Sequence, residues 1–399
     1  MSQASPEKLR RDALGILAAA IAAQLAVSTA QQGLPALGPI LASTFDLTTS
    51  GVGLLLGTIS LGTAGAVIFW GNLADRIDDR LVALIGLLGT ATCFVIAAFF
   101  KASEVAHFAL IFAGIMMASP TVAMTKGLAR NFVHLGNIGF ALSTRQAAVP
   151  VGGVIGGIVL TGIAVSHGLS AALYALAALI ILGGLFVMFA PAGVPEPPRL
   201  KAENLPPVNW RRLSPILIAA AFFCLTQLGI VALLTLYLSG SRGWTPTQAG
   251  QLYALMMAFV IPLRIRLGVI SDRYPTRRVQ FQIVIALLGA TLLLLCAVLE
   301  QYAIVVPLLF LAGISAMGWN GLLFTTAVVA VPPERVGFTQ GVLHSFIFAA
   351  GGVSPIIMSQ IVESFSWQAA WTVMAICSVM AAVSLKMFDT KPIQVKEMT

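Results

Sequence analysis

The chain has 399 residues, of which 58% are hydrophobic and 10% charged, with a net charge of +8 and a mean hydropathy of +0.94. A soluble domain is about 45–50% apolar and about 25% charged, so a water-facing enzyme and a disordered chain are both excluded. The apolar residues run unbroken in stretches of about twenty, whereas a membrane β-barrel alternates over about ten, so the chain is read as an all-α integral membrane protein.

In chain order, the start MSQASPEKLRRDALG puts basic residues ahead of an apolar run over 14–41. That run is too long for the core of a signal peptide and shows no small-residue cleavage pattern, so it is read as a retained first span. Eleven more apolar segments follow, over 50–70, 81–100, 106–127, 137–164, 170–190, 214–239, 248–267, 281–299, 303–330, 338–362 and 367–388. Each can cross a hydrocarbon core of about 30 Å at about 1.5 Å per residue. The longest connection, PAGVPEPPRLKAENLPPVNWRR, is rich in proline and charge and reads as a semi-rigid linker. The expected organisation is a six-helix bundle over 1–190, a linker over 191–212 and a second six-helix bundle over 213–399.

Lys and Arg gather in alternate loops: Lys8, Arg10, Arg11, Arg76, Arg80, Lys126, Arg130, Arg211 and Arg212 lie on one side, with only Lys101 and Arg242 on the other. This bias sets topology and predicts both termini in the cytoplasm. It is no nucleic-acid surface. Minimal loops and the lack of an N-x-S/T sequon fit a bacterial inner (plasma) membrane. Cys93, Cys224, Cys296 and Cys377 are far apart within apolar segments, which argues against a disulfide framework or zinc site. No metal or cofactor is expected. No HExxH, G-x-S-x-G or P-loop is present, so neither an enzyme nor ATP drive is expected.

The two halves repeat. GNLADRIDDR (Gly71 to Arg80) recurs as GVISDRYPTR (Gly268 to Arg277) at an offset of 197, which also relates Gly53 to Gly250. Gly152-Gly153 and Gly351-Gly352 match at 199. A repeated six-span half marks a rocking secondary transporter. The G-x-L-x-D-R-x-x-x-R loop between spans two and three, repeated between eight and nine, resembles the major facilitator superfamily over the whole chain. Asp78 and Pro275 stand where that family often has glycine. The resemblance implies two pseudo-symmetric six-helix bundles and a gating role for the loops, carried here by Asp75, Arg76, Arg80, Asp272, Arg273 and Arg277. An aspartate there can approach a positive helix N-terminus, and such contacts bias one rocking state over the other.

The fifteen acidic residues all fall in loops or at span ends. The buried carboxylate usual in proton-driven drug antiporters of the family is therefore missing. Arg145 and Arg264 do fall inside spans, where an ionisable group is by default a functional candidate. Arg264 and Arg266 are two residues apart and point to nearly opposite faces, so only one faces a cavity. An arginine four residues before the loop glycine resembles oxalate–formate antiporters and monocarboxylate transporters, where it engages the substrate carboxylate. The alternatives stay open: Arg264 can pair with a helix end, and Arg145 can bridge polar groups of its own half. His344 sits 199 residues after Arg145 and is either a packing residue or a proton switch. Gln146, Gln24, Ser28, Gln31, Gln32, Thr121, Thr226, Gln227, Trp319 and Asn320 complete the candidates for a polar-dotted apolar cavity. The G-x-x-x-G pairs after Pro150 are read as helix packing.

The expected function is alternating-access transport of a small organic anion, a carboxylate foremost, by a monomer embedded in the lipid bilayer. The rival expectations are a proton-linked efflux pump for hydrophobic or zwitterionic compounds and a transporter-like ligand sensor.

Overall fold

The computed structural model describes residues 6–74, 76–133, 135, 138–194, 207–331 and 335–388. Twelve helices are long and apolar enough to cross a membrane: α1 (Glu7–Phe45), α2 (Thr49–Ala74), α3 (Asp79–Phe100), α4 (Ser103–Phe132), α5 (Thr144–His167), α6 (Leu169–Met188), α7 (Trp210–Ser241), α8 (Pro246–Arg273), α9 (Pro275–Val298), α10 (Tyr302–Val329), α11 (Phe338–Ser364) and α12 (Trp367–Lys386). All twelve expected spans are present. Of the expected linker over 191–212, residues 195–206 lie outside the described ones. Trp210–Arg212 form the first turn of α7, because Asn209 caps it by accepting from the Arg212 backbone N–H at 3.2 Å.

Helix starts follow local chemistry. Asp78 accepts from the Arg80 N–H at 2.7 Å to open α3. Thr245 and Gln248 form a capping box ahead of α8, with Pro246 in the first turn, where its missing N–H costs nothing. Three spans are interrupted. α1 carries a 3₁₀ turn over Leu34–Leu37 around Pro35, and α5 holds a π-turn over Gly156–Leu160. α10 breaks between Ala316 and Asn320.

The neighbours repeat between halves. α1 packs on α5 and α6, α4 on α2 and α3, and α3 on α6; in the second half α7 packs on α11 and α12, α10 on α8 and α9, and α9 on α12. Small residues permit the close crossings. A side chain at Gly62 would collide with the Ile111 carbonyl oxygen, and one at Gly114 with that of Ile59, which locks α2 to α4. Lipid offers no hydrophobic drive for helix pairing, so such backbone approach supplies the packing.

The halves meet along α2–α11 and α5–α8. Among the described residues three hydrogen bonds join them: Ser50 N–H to Glu363 Oε2, Thr235 Oγ1 to the Pro35 carbonyl and Tyr253 OH to the Gln32 carbonyl. All three lie toward the face opposite the basic loops. Glycines make the rest of this seam. A Cβ on Gly250 would lie 2.5 Å from the Gly157 carbonyl oxygen, and one on Gly53 would lie 2.5 Å from that of Pro355. Gly57 similarly abuts the Gly352 carbonyl. The molecule is thus closed at the face opposite the basic loops.

Gly250→Leu is expected to force α5 and α8 apart and open that face, whereas Gly162→Leu, with open space around it, is not. Spin labels at positions 101 and 241, in a background without the native cysteines, read the separation. Equal distance distributions in Gly250→Leu and wild type would show that the glycine crossing does not form the seal.

Candidate functional site

Arg145 on α5 is 3% exposed. Its Nη1 donates to Thr125 Oγ1 at 2.7 Å and its Nη2 to the Thr121 carbonyl at 3.2 Å, while Nε is buried with no partner. Both acceptors belong to α4 of its own half. Arg264 on α8 is half-buried; Nε donates to the Met317 carbonyl at 3.0 Å and Nη2 to Asn320 Oδ1 at 2.7 Å. The break in α10 explains the first bond. Turns at Ile314–Met317 and Ser315–Gly318 replace the helical pattern and leave the Met317 carbonyl for the guanidinium. Arg266 is exposed, so Arg264 is the member of that pair turned inward.

Neither arginine forms an ion pair with a carboxylate of the described residues. Thr121 and Asn320 stand 199 residues apart, the offset that relates Gly152 to Gly351. The two guanidinium groups therefore dock on matching points of matching helices, one reached from α5 and the other from α8. Counted from the Gly157–Gly250 crossing, Arg145 lies about 18 Å along α5 and Arg264 about 21 Å along α8. They stand at similar depth on adjoining helices of opposite halves.

His344 lies on α11, in the half opposite Arg145. Its Nδ1 pairs with the Gln340 carbonyl of its own helix at 2.8 Å, and its ring stacks on Phe324 at 4.9 Å. That leaves Nε2 for another partner. Gln146 is half-buried beside Arg145. Gln24 donates to Ser28 at 2.8 Å. Gln32 and Gln227 are buried, each with an unpartnered Oε1. Thr121 Oγ1 bonds back to Met117. Trp319 is fully buried and stacks at 5.2 Å on Phe223, inside the second half rather than at an open surface. Thr226 bonds the Met374 carbonyl of α12 and likewise faces away from the seam. Two shallow clefts, around Trp244 and Gln248 and around Ile356 and Gln360, lie on the opposite face and contain neither arginine.

Of the loop residues, Asp75 lies outside the described residues. Arg76 is exposed. Arg80 pairs with Asp78 at 3.1 Å and donates to the Ala190 carbonyl at the end of α6 at 3.0 Å. In the second copy Asp272 is 81% exposed and 3.7 Å from Arg278, a contact of little energetic weight. Arg273 and Arg277 lie over the ring of Tyr274. The hydrogen bond from the Arg80 side chain holds the Asp78 carboxyl below the ordinary carboxylate value. A lowered acid stabilises the fold above its unfolded value, so this cap persists at neutral pH and is lost only as pH falls through the acid range below about 4.

One residue escaped the sequence reading. Asp79, 4% exposed, pairs with Arg130 at 2.9 Å and Lys126 at 3.7 Å, and Lys126 also donates to the Ala74 carbonyl that ends α2 at 2.7 Å. This cluster ties α2, α3 and α4 together at the basic face. Its signal was phase: Asp79 lies on the stripe Val82, Ala83, Gly86, Leu87 and Thr90, all of it buried. Asp79→Asn removes the partner of two cations and is expected to cost about 3 kcal/mol. A thermal midpoint within a degree of wild type would contradict the cluster's structural role.

No group of three or more His, Cys, Asp or Glu among the described residues could hold a metal. A family model described as Major Facilitator Superfamily matches residues 16–355. An uncharacterized MFS-type transporter of Mycobacterium tuberculosis is 26% identical over 344 residues, covering 84% of this chain and 76% of that protein. Among solved structures, a bacterial homolog of the human lysosomal transporter Spinster, inward-facing and unoccupied, is similar with a TM-score of 0.76 at 14% identity, over 97% of this chain and 98% of that one. A nucleoside transporter, NupG, is similar with a TM-score of 0.72 at 15% identity, over 95% and 100%.

Proposed function

Because the chain belongs to the major facilitator superfamily, we propose that it carries a small organic anion, a carboxylate foremost, across the membrane by alternating access. The observation that carries this reading is the pair of arginines: two guanidinium groups at one depth, one from each half, with no carboxylate among the described residues paired to them. Their hydrogen bonds to carbonyl and side-chain oxygens satisfy donors but leave the charge. Nη1 of Arg264 makes no hydrogen bond and can reach one carboxylate oxygen, while a shift of Nη2 from Asn320 would supply the second bond of a fork. Gln146 and His344 stand beside this pair, and the gating loops bias which face is open. The lysine and arginine bias supports a cytoplasmic basic face. With the opposite face sealed, the conformation described here is not outward-open.

Arg264→Ala is expected to abolish carboxylate uptake into proteoliposomes and the stabilisation that carboxylates give the purified protein, without unfolding it. Arg264→Lys should fail in large part, because an ammonium cannot reproduce the planar fork. Near-wild-type uptake in Arg264→Ala would sink the anion reading.

Asn320→Asp places a carboxylate where Arg264 now meets an amide oxygen. A substrate anion must then displace an ion pair, so its apparent affinity should fall at least tenfold while Asn320→Ala leaves it the same or tighter. Equal loss in both variants would mean that Asn320 holds the substrate directly.

A further inference from the structure

Three of the buried polar atoms without a partner belong to Gln31, Gln32 and Gln227, on α1 and α7, toward the sealed side of the arginines. On α1, Gln24, Ser28, Gln31 and Gln32 follow the i, i+4, i+7, i+8 spacing of one helix face. The helix itself runs past the seam: a side chain on Gly152 of α5 would touch α1 at Ser28, and the Gln32 backbone carbonyl accepts from Tyr253 of α8. On α7, Gln227 shares by the same spacing the face of Thr235, which bonds Pro35 of α1. Gln32 is 8% and Gln227 5% exposed, and the Oε1 of each, with Nε2 of Gln31, is buried without a partner.

Depth orders these groups. Ser28 is level with Gly152, seven residues from Arg145 along α5, or about 10 Å. Gln24 lies about one turn nearer the arginines and Gln31 about one turn nearer the seal. Between the depth of the guanidinium pair and the closed face, α1 and α7 thus carry amides as well as hydrocarbon. A buried amide oxygen without a partner is costly, by about 1–3 kcal/mol. Two such oxygens and one amide nitrogen in the same state make this region a poor berth for an alkyl chain. A hydroxyl can both donate to an amide oxygen and accept from an amide nitrogen, so it matches all three.

We infer that Gln31, Gln32 and Gln227 form a neutral hydrogen-bonding subsite above the arginine pair, and that the substrate is a polyhydroxylated carboxylate of the sugar-acid kind rather than a simple or alkyl carboxylate. This rests on the anion reading, with the arginines taking the carboxylate and the amides the hydroxylated chain. A site built to hydrogen-bond hydroxyls rejects an analogue without them, because its own polar groups are then left unpaired.

The test separates charge from hydroxyls. Thermal stabilisation of the purified full-length protein is titrated with gluconate, with hexanoate of the same chain length, and with sorbitol, which has the hydroxyls and no charge. Gluconate is expected to bind at least tenfold more tightly than hexanoate, and sorbitol to give no shift. In Gln32→Leu and Gln227→Leu, gluconate should weaken to the level of hexanoate while hexanoate is unchanged, which also shows that the variants are folded. Equal or tighter binding of hexanoate in wild type, an undiminished preference for gluconate in both variants, or no shift with any of the three overturns the subsite. If sorbitol matches gluconate and hexanoate gives nothing, the subsite stands and the anion reading falls.

Discussion

Two guanidinium groups held inside a helical bundle, with no carboxylate of the described residues paired to them, set the terms for the rest of the molecule. Removing a charge from water costs several kcal/mol even after relaxation, and arginine at the centre of a membrane helix is among the least tolerated residues. Arg145 and Arg264 meet that cost with oxygen dipoles of α4 and α10. A regular helix already commits each carbonyl to an N–H four residues on, so an added donor must share one, as Arg145 Nη2 shares that of Thr121. The break after Ala316 is therefore the counterpart of Arg264, as it releases the Met317 carbonyl. Thr125 serves Arg145 differently, with a side-chain oxygen presented from an unbroken turn. Dipoles satisfy the donors and leave the field positive, which is the ground for proposing the pair as a site rather than a brace.

The seam between the halves is built on another principle. It has few hydrogen bonds, no arginine, and glycine backbone against glycine or proline backbone at Gly157–Gly250, Gly57–Gly352 and Gly53–Pro355. Such contacts hold by close packing alone and separate without stranding a charge. Within each half the ties are stronger. Asp79 binds Arg130 and Lys126, and Arg80 reaches the end of α6. Arg278 is fixed to Ser271 at 2.6 Å. Stiff halves and a seam of close glycine contacts, with one carboxylate, Glu363, at its exposed rim, suit rigid-body rocking about the centre.

The twelve spans were legible because a hydrocarbon core admits only helices of a set length, and hydropathy reports that length directly. The repeat was legible too, and the Gly53–Gly250 match fell on two glycines that both turned out to lie in the seam. Helical phase said that Arg264 and Arg266 face apart but not which one turns inward; that depended on a break in α10, where no proline stands between Ala316 and Asn320 to announce it. Trp319 looked like a cavity residue by position, yet its ring found Phe223. Asp79 was hidden by a sound rule, that acids at span ends are solvated, and only the buried phase of its helix distinguishes it. Gln227 and Gln32 were visible as polar residues in apolar helices, but their lack of partners is a property of the packed structure alone.

Where each arginine finds its oxygens bears on the transport cycle. Arg145 and its acceptors all belong to the first half, and Arg264 and its acceptors all belong to the second. Rocking one half against the other carries each guanidinium along with its own ligands and breaks none of these bonds. The charge therefore opposes no particular orientation of the empty protein through its hydrogen bonds. What changes on rocking is the distance between the two positive centres and the water that reaches them. On the proposed anion reading, a bound anion would lie between the halves and draw both centres inward, favouring the closed intermediate through attraction to two bodies at once. Coupling of substrate to motion then needs no buried carboxylate and no contact that forms in one state only; it follows from placing like charges on opposite halves at one depth.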